Sequence, residues 1–300
     1  MQETDSLKGE NKKLIKYKKI KFINNYQYLF YKIIIIISIL LQIFFHRNKN
    51  IFNNKISVII PTYNRAKLLI NSLMSVLRQT YNNIEVIIVD DNSSDDTKKT
   101  IDKINDNRIK YIKLRKNKGP GYARNIGIKY SNSNLIAFQD SDDIFHKDKL
   151  IKQFRNLKKY NSDLDFCKIC IHLNDSYKMV IPSYKQEKKI FKNDIINELL
   201  YGNFISTQSI LVKKNIIEKY LFDFHLPRLL DYDLVLRMAS KIKFSYTKGV
   251  LVDIIRHYDS IGSSLSKLLE AKNILYNKNY NFNPDELKIF IETLKIIKRT

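Results

Sequence analysis

The feature that most constrains this chain is an alternation of four short apolar runs with helical patterns between residues 55 and 138. Lys55-Ile56-Ser57-Val58-Ile59-Ile60 reads as a buried strand, and Pro61-Thr62-Tyr63-Asn64-Arg65 breaks it into a loop. Leu68, Leu69, Leu73, Val76 and Leu77 then fall at helical spacing. Ile84-Glu85-Val86-Ile87-Ile88-Val89 is a second strand, ending in Asp90-Asp91-Asn92-Ser93-Ser94-Asp95-Asp96-Thr97. Ile109 to Leu114 is a third. Gly119-Pro120-Gly121-Tyr122-Ala123-Arg124-Asn125 opens the next helix, and Leu135 to Phe138 is the fourth strand. Strands that alternate with helices need crossover connections, so the pattern predicts an α/β fold with a mostly parallel, Rossmann-like sheet covered by helices on both faces. In open sheets of this kind ligands bind beyond the carboxyl ends of the strands. The polar clusters lie at those ends.

The most acidic of these ends is Phe138-Gln139-Asp140-Ser141-Asp142-Asp143. Side chains two apart on a strand point the same way, so Asp140 and Asp142 can converge on one point beyond it. Two carboxylates that close repel unless a cation sits between them. Hard oxygen ligands favour Mg²⁺ or Mn²⁺, usually shared with substrate phosphates. The competing reading is an acidic turn that caps the following helix, with Asp143 or a neighbour as N-cap.

Five blocks together resemble the family 2 glycosyltransferases, which have the nucleotide-sugar-binding fold known as GT-A. They are Ser57 to Arg65, Val89 to Thr97, Gly119 with Ala123-Arg124-Asn125 and Gly127, Asp140 to Asp143, and Leu229-Leu230-Asp231-Tyr232-Asp233-Leu234-Val235-Leu236-Arg237. The resemblance covers about residues 55 to 260. It implies an inverting enzyme that moves a hexose or N-acetylhexosamine from a nucleotide diphosphate sugar, a UDP-sugar in the first instance. The implied acceptor is a saccharide or a lipid-linked sugar in cell-surface glycan or polysaccharide synthesis. It places Pro61, Thr62, Tyr63 and Arg65 in the nucleotide pocket, with Asp91 accepting hydrogen bonds from the base and Arg124 favouring the phosphates. Asp140 and Ser141 join the donor site, and Asp140 and Asp142 hold Mn²⁺ or Mg²⁺, with His257 near the diphosphate or metal. Asp143 braces the loop. Asp231 is the implied catalytic base, although Leu230 stands where the family usually has Glu. Asp233 is the rival base, and Asp231 could instead cap a helix from Tyr232 to Ser240. For Asp91 the plain alternative is a turn residue, and for Arg124 a solvated surface side chain.

The remaining features bound the function less tightly. Cys167-Lys168-Ile169-Cys170 has the spacing of a redox or zinc pair. On the strand expected over Leu164 to Leu173, however, residues three apart face opposite sides. Two cysteines in 300 residues give no disulfide framework. A net charge of +23 raises nucleic acid or an anionic membrane as partners. Yet 7 Gly, 5 Pro and no Trp amid abundant Lys, Ile, Asn and Tyr fit an A/T-rich coding sequence, and the lysines are dispersed. A basic nucleic-acid-binding protein and a catalytically silent nucleotide-sugar-binding relative are therefore the alternative readings, and no nucleic acid is expected as partner.

Residues 1–50 form a lysine-rich extension. Its apolar run Ile33 to Phe45, about 29–45 at its widest, falls between a short anchor and an interfacial helix. The expectation is membrane association at the cytoplasmic face, with a soluble cytoplasmic or a lumenal protein as alternatives. Residues 51–262 are read as the transferase domain, with a nucleotide half at 51–145 and an acceptor half at 146–262, and residues 263–300 as a helical extension. Further expected elements are a helix from Lys147 to Tyr160 and strands from Ser209 to Lys213 and from Leu251 to Arg256.

Overall fold

The computed structural model describes residues 32–40, 42, 54–174, 176–191, 195–256, 264–280 and 282–296. The chain divides into two units, Met1–Asn53 and Asn54–Thr300. In the first, residues 32–40 and 42 are helical, and Ile33 to Ile37, Ile39 and Leu40 are exposed. No helix among the described residues is long and apolar enough to cross a membrane. The rest of the 29–45 segment lies outside the described residues.

Among the described residues, the second unit holds nine strands: β1 (Ile56–Thr62), β2 (Ile84–Asp90), β3 (Ile109–Lys113), β4 (Leu135–Phe138), β5 (Ile144–Phe145), β6 (Leu164–His172), β7 (Lys178–Ile181), β8 (Ile210–Lys213) and β9 (Phe244–Ile255). They form one sheet in the order β3-β2-β1-β4-β8-β6-β9-β5, with β7 on β6. β3, β2, β1 and β4 are parallel, as the alternation predicts. The second half is mixed: β8 runs antiparallel to β4 and β6, β7 to β6 and β5 to β9, while β9 is parallel to β6. Every residue of β1, β2 and β4 is buried, as a strand covered on both faces requires.

Chain order reverses at β1, where β2 lies on one side and β4 on the other. That switch point leaves a crevice at the carboxyl ends of β1 and β4. Helix Pro120–Tyr130 packs closely on β1 beside it, because a Cβ on Gly127 would collide with the Ile59 side chain. Gly119, at φ 86°, takes the left-handed turn into that helix. Helices Leu265–Asn277 and Pro284–Ile296 belong to the same unit and place Ala271, Leu275, Phe290 and Leu294 in its core.

Several boundaries differ from expectation. The helix after the acidic loop begins at Lys149, so neither Asp143 nor its neighbours in that loop cap it. β9 begins at Phe244, seven residues before the expected Leu251. The helix at Asp231 runs Leu230–Met238 with Leu229 as its N-cap, so Asp231 sits in the first turn and is not the cap.

Candidate active site

The ends of β1, β2 and β4 are fastened side by side. The Asp91 N–H donates to the Thr62 carbonyl at 2.8 Å, and the Gln139 N–H donates to the Ile59 carbonyl at 3.0 Å. Beyond them opens a cleft of about 950 Å³. Pro61 and Thr62 line it from the end of β1, Tyr63 and Arg65 from the loop after β1, Asp91 from the loop after β2 and Arg124 from helix Pro120–Tyr130. Asp140, Ser141 and Asp142 line it from the loop after β4, and Asp231 from the opposite wall. Residues separated by up to 170 positions thus share one cavity. His257 lies outside the described residues.

The acidic loop is held by a network. Arg124 is buried at 5 % exposure, which excludes the solvated reading. Its Nη2 donates to Asp140 Oδ1 at 2.6 Å, and the Phe222 ring lies 5.4 Å from its guanidinium carbon. Gln208 Nε2 donates to Asp140 Oδ2 at 2.6 Å and to Asp143 Oδ2 at 2.7 Å. The Ile255 N–H completes Asp143 through Oδ1 at 3.1 Å. Burial, followed by the charges of Asp140 and Asp142, pushes the Asp143 carboxyl well above the ordinary range. Negative charge is therefore crowded at this loop.

Asp91 points its carboxylate at the backbone, where Oδ1 accepts from the Lys118 N–H at 2.8 Å and Oδ2 from the Gly119 N–H at 2.7 Å. It thereby holds the loop leading into helix Pro120–Tyr130. Asp90 takes the turn role instead, accepting from the Ser93 N–H at 2.7 Å.

Asp231 Oδ1 accepts from the Tyr232 N–H at 2.9 Å. Burial raises its carboxyl above the ordinary range, opposed by backbone N–H groups and by the Arg124 charge. Asp233 is different. It is fully buried, away from the cleft lining, and accepts from Arg237 Nε at 2.9 Å, Lys278 Nζ at 2.7 Å and Tyr280 Oη at 3.0 Å. Those bonds tie helix Leu230–Met238 to the C-terminal region and leave no path to a cleft ligand.

Some lining residues had no motif to announce them. Gln208 is a neutral amide in a Thr-Gln-Ser turn, and Arg228, Arg256 and Lys267 come from loosely patterned sequence. Burial and the charge of Arg256 lower the Arg228 pKa. Among the described residues, Thr62 Oγ1, Arg124 Nε and Ser206 Oγ are buried without a hydrogen-bond partner in the protein, and all three residues line the cleft. Buried polar groups are normally paired, so a polar ligand is the natural complement.

Known proteins agree with this architecture. An uncharacterized glycosyltransferase of Rickettsia conorii is 43% identical over 115 residues, 38% of this chain and 19% of that protein. The match therefore spans about a fifth of that relative's length. The UDP-Glc:alpha-D-GlcNAc-diphosphoundecaprenol beta-1,3-glucosyltransferase WfgD of Escherichia coli is 33% identical over 140 residues, 46% of this chain and 55% of that protein. The crystal structure of S. aureus TarS 1-349 in complex with UDP-GlcNAc superimposes with a TM-score of 0.65 at 20% identity, covering 82% of this chain and 74% of that one. The mannosyltransferase PcManGT from Pyrobaculum calidifontis, in complex with GDP-Man and Mn2+, gives 0.59 at 14% identity, covering 84% and 75%. The fold is of the GT-A type expected from the motifs. Since the profile of Glycosyl transferase family 2 matches residues 57–221, more than half of the chain, the protein belongs to that family.

Proposed function

We propose that this protein is a metal-dependent inverting glycosyltransferase that moves a sugar from a nucleoside diphosphate donor, a UDP-sugar, to a saccharide or lipid-linked acceptor. The observation that carries the reading is the convergence in one cleft of the nucleotide-side residues, the acidic loop and a separate desolvated carboxyl, Asp231. WfgD is named for UDP-Glc and a diphosphoundecaprenol-linked acceptor, and TarS was crystallised with UDP-GlcNAc.

Thr62, Tyr63 and Arg65 at the end of β1 would receive the base and ribose. Asp91 keeps acceptor capacity for the base, since each carboxylate oxygen has a second lone pair beyond the one its backbone N–H uses. The crowded oxygens of the acidic loop suit a hard divalent cation. Asp142, with Asp140, would hold Mn²⁺ or Mg²⁺, which supplies charge neutralisation for the departing diphosphate. Arg124 and Gln208 fix the Asp140 carboxylate, so its geometry is set before substrate arrives. Arg228, Arg256 and Lys267 bring positive charge to the same cleft, suited to phosphate on donor or acceptor.

Asp231 acts on the acceptor. Its carboxylate takes the hydroxyl proton as that oxygen attacks the anomeric carbon, and the bond to the nucleoside diphosphate breaks on the far side. One displacement with one base inverts the anomeric configuration. The pKa raised by burial makes Asp231 a stronger base than an exposed aspartate, provided the pH lies above that pKa. A thermal-shift panel of nucleoside diphosphates and their sugars, with Mn²⁺ and with EDTA, tests the reading. UDP and a UDP-sugar should stabilise the protein with Mn²⁺ and far less in chelator. Equal shifts in both conditions would remove the metal, and no shift with any nucleotide would remove the donor site.

A further inference from the structure

We propose that Cys170, His172 and Asp253 form a second metal site, suited to Zn²⁺, on the sheet face opposite the donor cleft, with His146 bracing it. The register brings them together. Asp253 on β9 is paired with Cys170 on β6 and with Ile144 on β5. Alternate residues on a strand share a face, so His172, two past Cys170, lies on the same side. His146, two past Ile144, does too. Their neighbours Ile169, Ile171 and Ile254 point the other way and line the cleft.

The side chains meet. One ligand atom each from Cys170, His172 and Asp253 lie within 4.8 Å of one another. A tetrahedral zinc ion with bonds of about 2.0 to 2.3 Å sets its ligand atoms about 3.3 to 3.8 Å apart. Closing the cluster thus takes shifts of about 1 Å, within rotamer adjustment. His172 Nε2 and His146 Nε2 lie 2.9 and 2.8 Å from separate oxygens of Asp253. A ligating carboxylate is commonly oriented by such an outer hydrogen bond, and losing it typically costs about 10- to 100-fold in metal affinity. The side chains of Asp253, His172 and His146 are 29%, 28% and 40% exposed, so an ion can enter.

The donor set selects the ion. Thiolate, imidazole and one carboxylate suit Zn²⁺, whereas the oxygen-only acidic loop suits Mn²⁺ or Mg²⁺. A plain His–Asp–His hydrogen-bond chain would explain Asp253 but gives the Cys170 thiol no part. The location has a consequence. β5 directly follows the acidic loop, and Ile255, two residues past Asp253, donates to Asp143. A zinc ion joining β6 and β9, with His146 held against it, would brace that loop from behind.

The test is Co²⁺ binding to the metal-free full chain with Mn²⁺ present, followed by near-ultraviolet absorption and Zn²⁺ competition. The expected result is one Co²⁺ per chain with a thiolate charge-transfer band, displaced by Zn²⁺. Cys170→Ser should abolish the band, and His172→Gln, at a part-exposed position, should weaken binding at least 10-fold. His146→Ala should weaken it about 10- to 100-fold. Asp142→Asn should leave the band intact. Absence of a thiolate band in the wild-type chain, or a band indifferent to both Cys170→Ser and His172→Gln, overturns the proposal.

Discussion

Replacing Arg124 with Met keeps most of the side-chain volume and removes a buried cation that faces two carboxyl groups. In the structure Arg124 donates to Asp140 at 2.6 Å, and its charge also favours ionised Asp231. Breaking a buried ion pair costs about 3 to 5 kcal/mol. The Asp140 side chain is 28% exposed, however, and it keeps its bond from Gln208, so about 2 kcal/mol is the better expectation. For a domain of this size that lowers Tm by about 4 to 8 °C. The deficit must depend on pH with a definite sign. Asp231, whose folded pKa is already raised, would be raised further without Arg124 and would cost more stability as it ionises. That widens the gap between wild type and Arg124→Met from pH 4 to pH 8. Thermal melts across that range, at fixed ionic strength, are the assay. A variant as stable as wild type at pH 8, or a deficit that is constant with pH, would refute the reasoning.

Two further substitutions separate folding from chemistry. Gly127→Ala should cost about 1 to 3 kcal/mol by forcing helix Pro120–Tyr130 off Ile59, measured by urea unfolding. Asp233→Asn should cost about 3 kcal/mol, since it leaves Lys278 and Arg237 without their buried carboxylate. Turnover per folded molecule should stay near normal, and a large loss of turnover at unchanged stability would place Asp233 in the chemistry instead.

The first half of the sheet was legible because β1, β2 and β4 are buried on both faces, so their sequence is continuously apolar and their polar ends stand out. The second half was not. β9 runs through Lys248 and through Gly249 at φ 111°, where its pairing with β6 shifts register, and this hides its first half from any alternation pattern. β7 is largely exposed and β5 has two residues, too little sequence to carry a period. The motif acids and Arg124 were visible because charge beside an apolar strand is conspicuous. Gln208 was not, because a neutral amide holding two carboxylates is indistinguishable in sequence from an ordinary turn residue. Asp91 shows the opposite limit, since its residue type and place were readable but its bonds to the Lys118 and Gly119 backbone were not. The company that Cys170 keeps includes Asp253 of β9, more than 80 residues away.

The most direct test of the transfer mechanism compares Asp231→Asn with wild type in donor affinity and in turnover, using one UDP-sugar and a lipid-linked acceptor. Asn keeps the size of the side chain and removes its basicity. Turnover should fall about 10² to 10⁴-fold with donor Kd within a few-fold of wild type, and the wild-type rate should decline in acid at a higher pH than an ordinary aspartate would give. Near-normal turnover in Asp231→Asn would contradict the assignment of this carboxylate as the base.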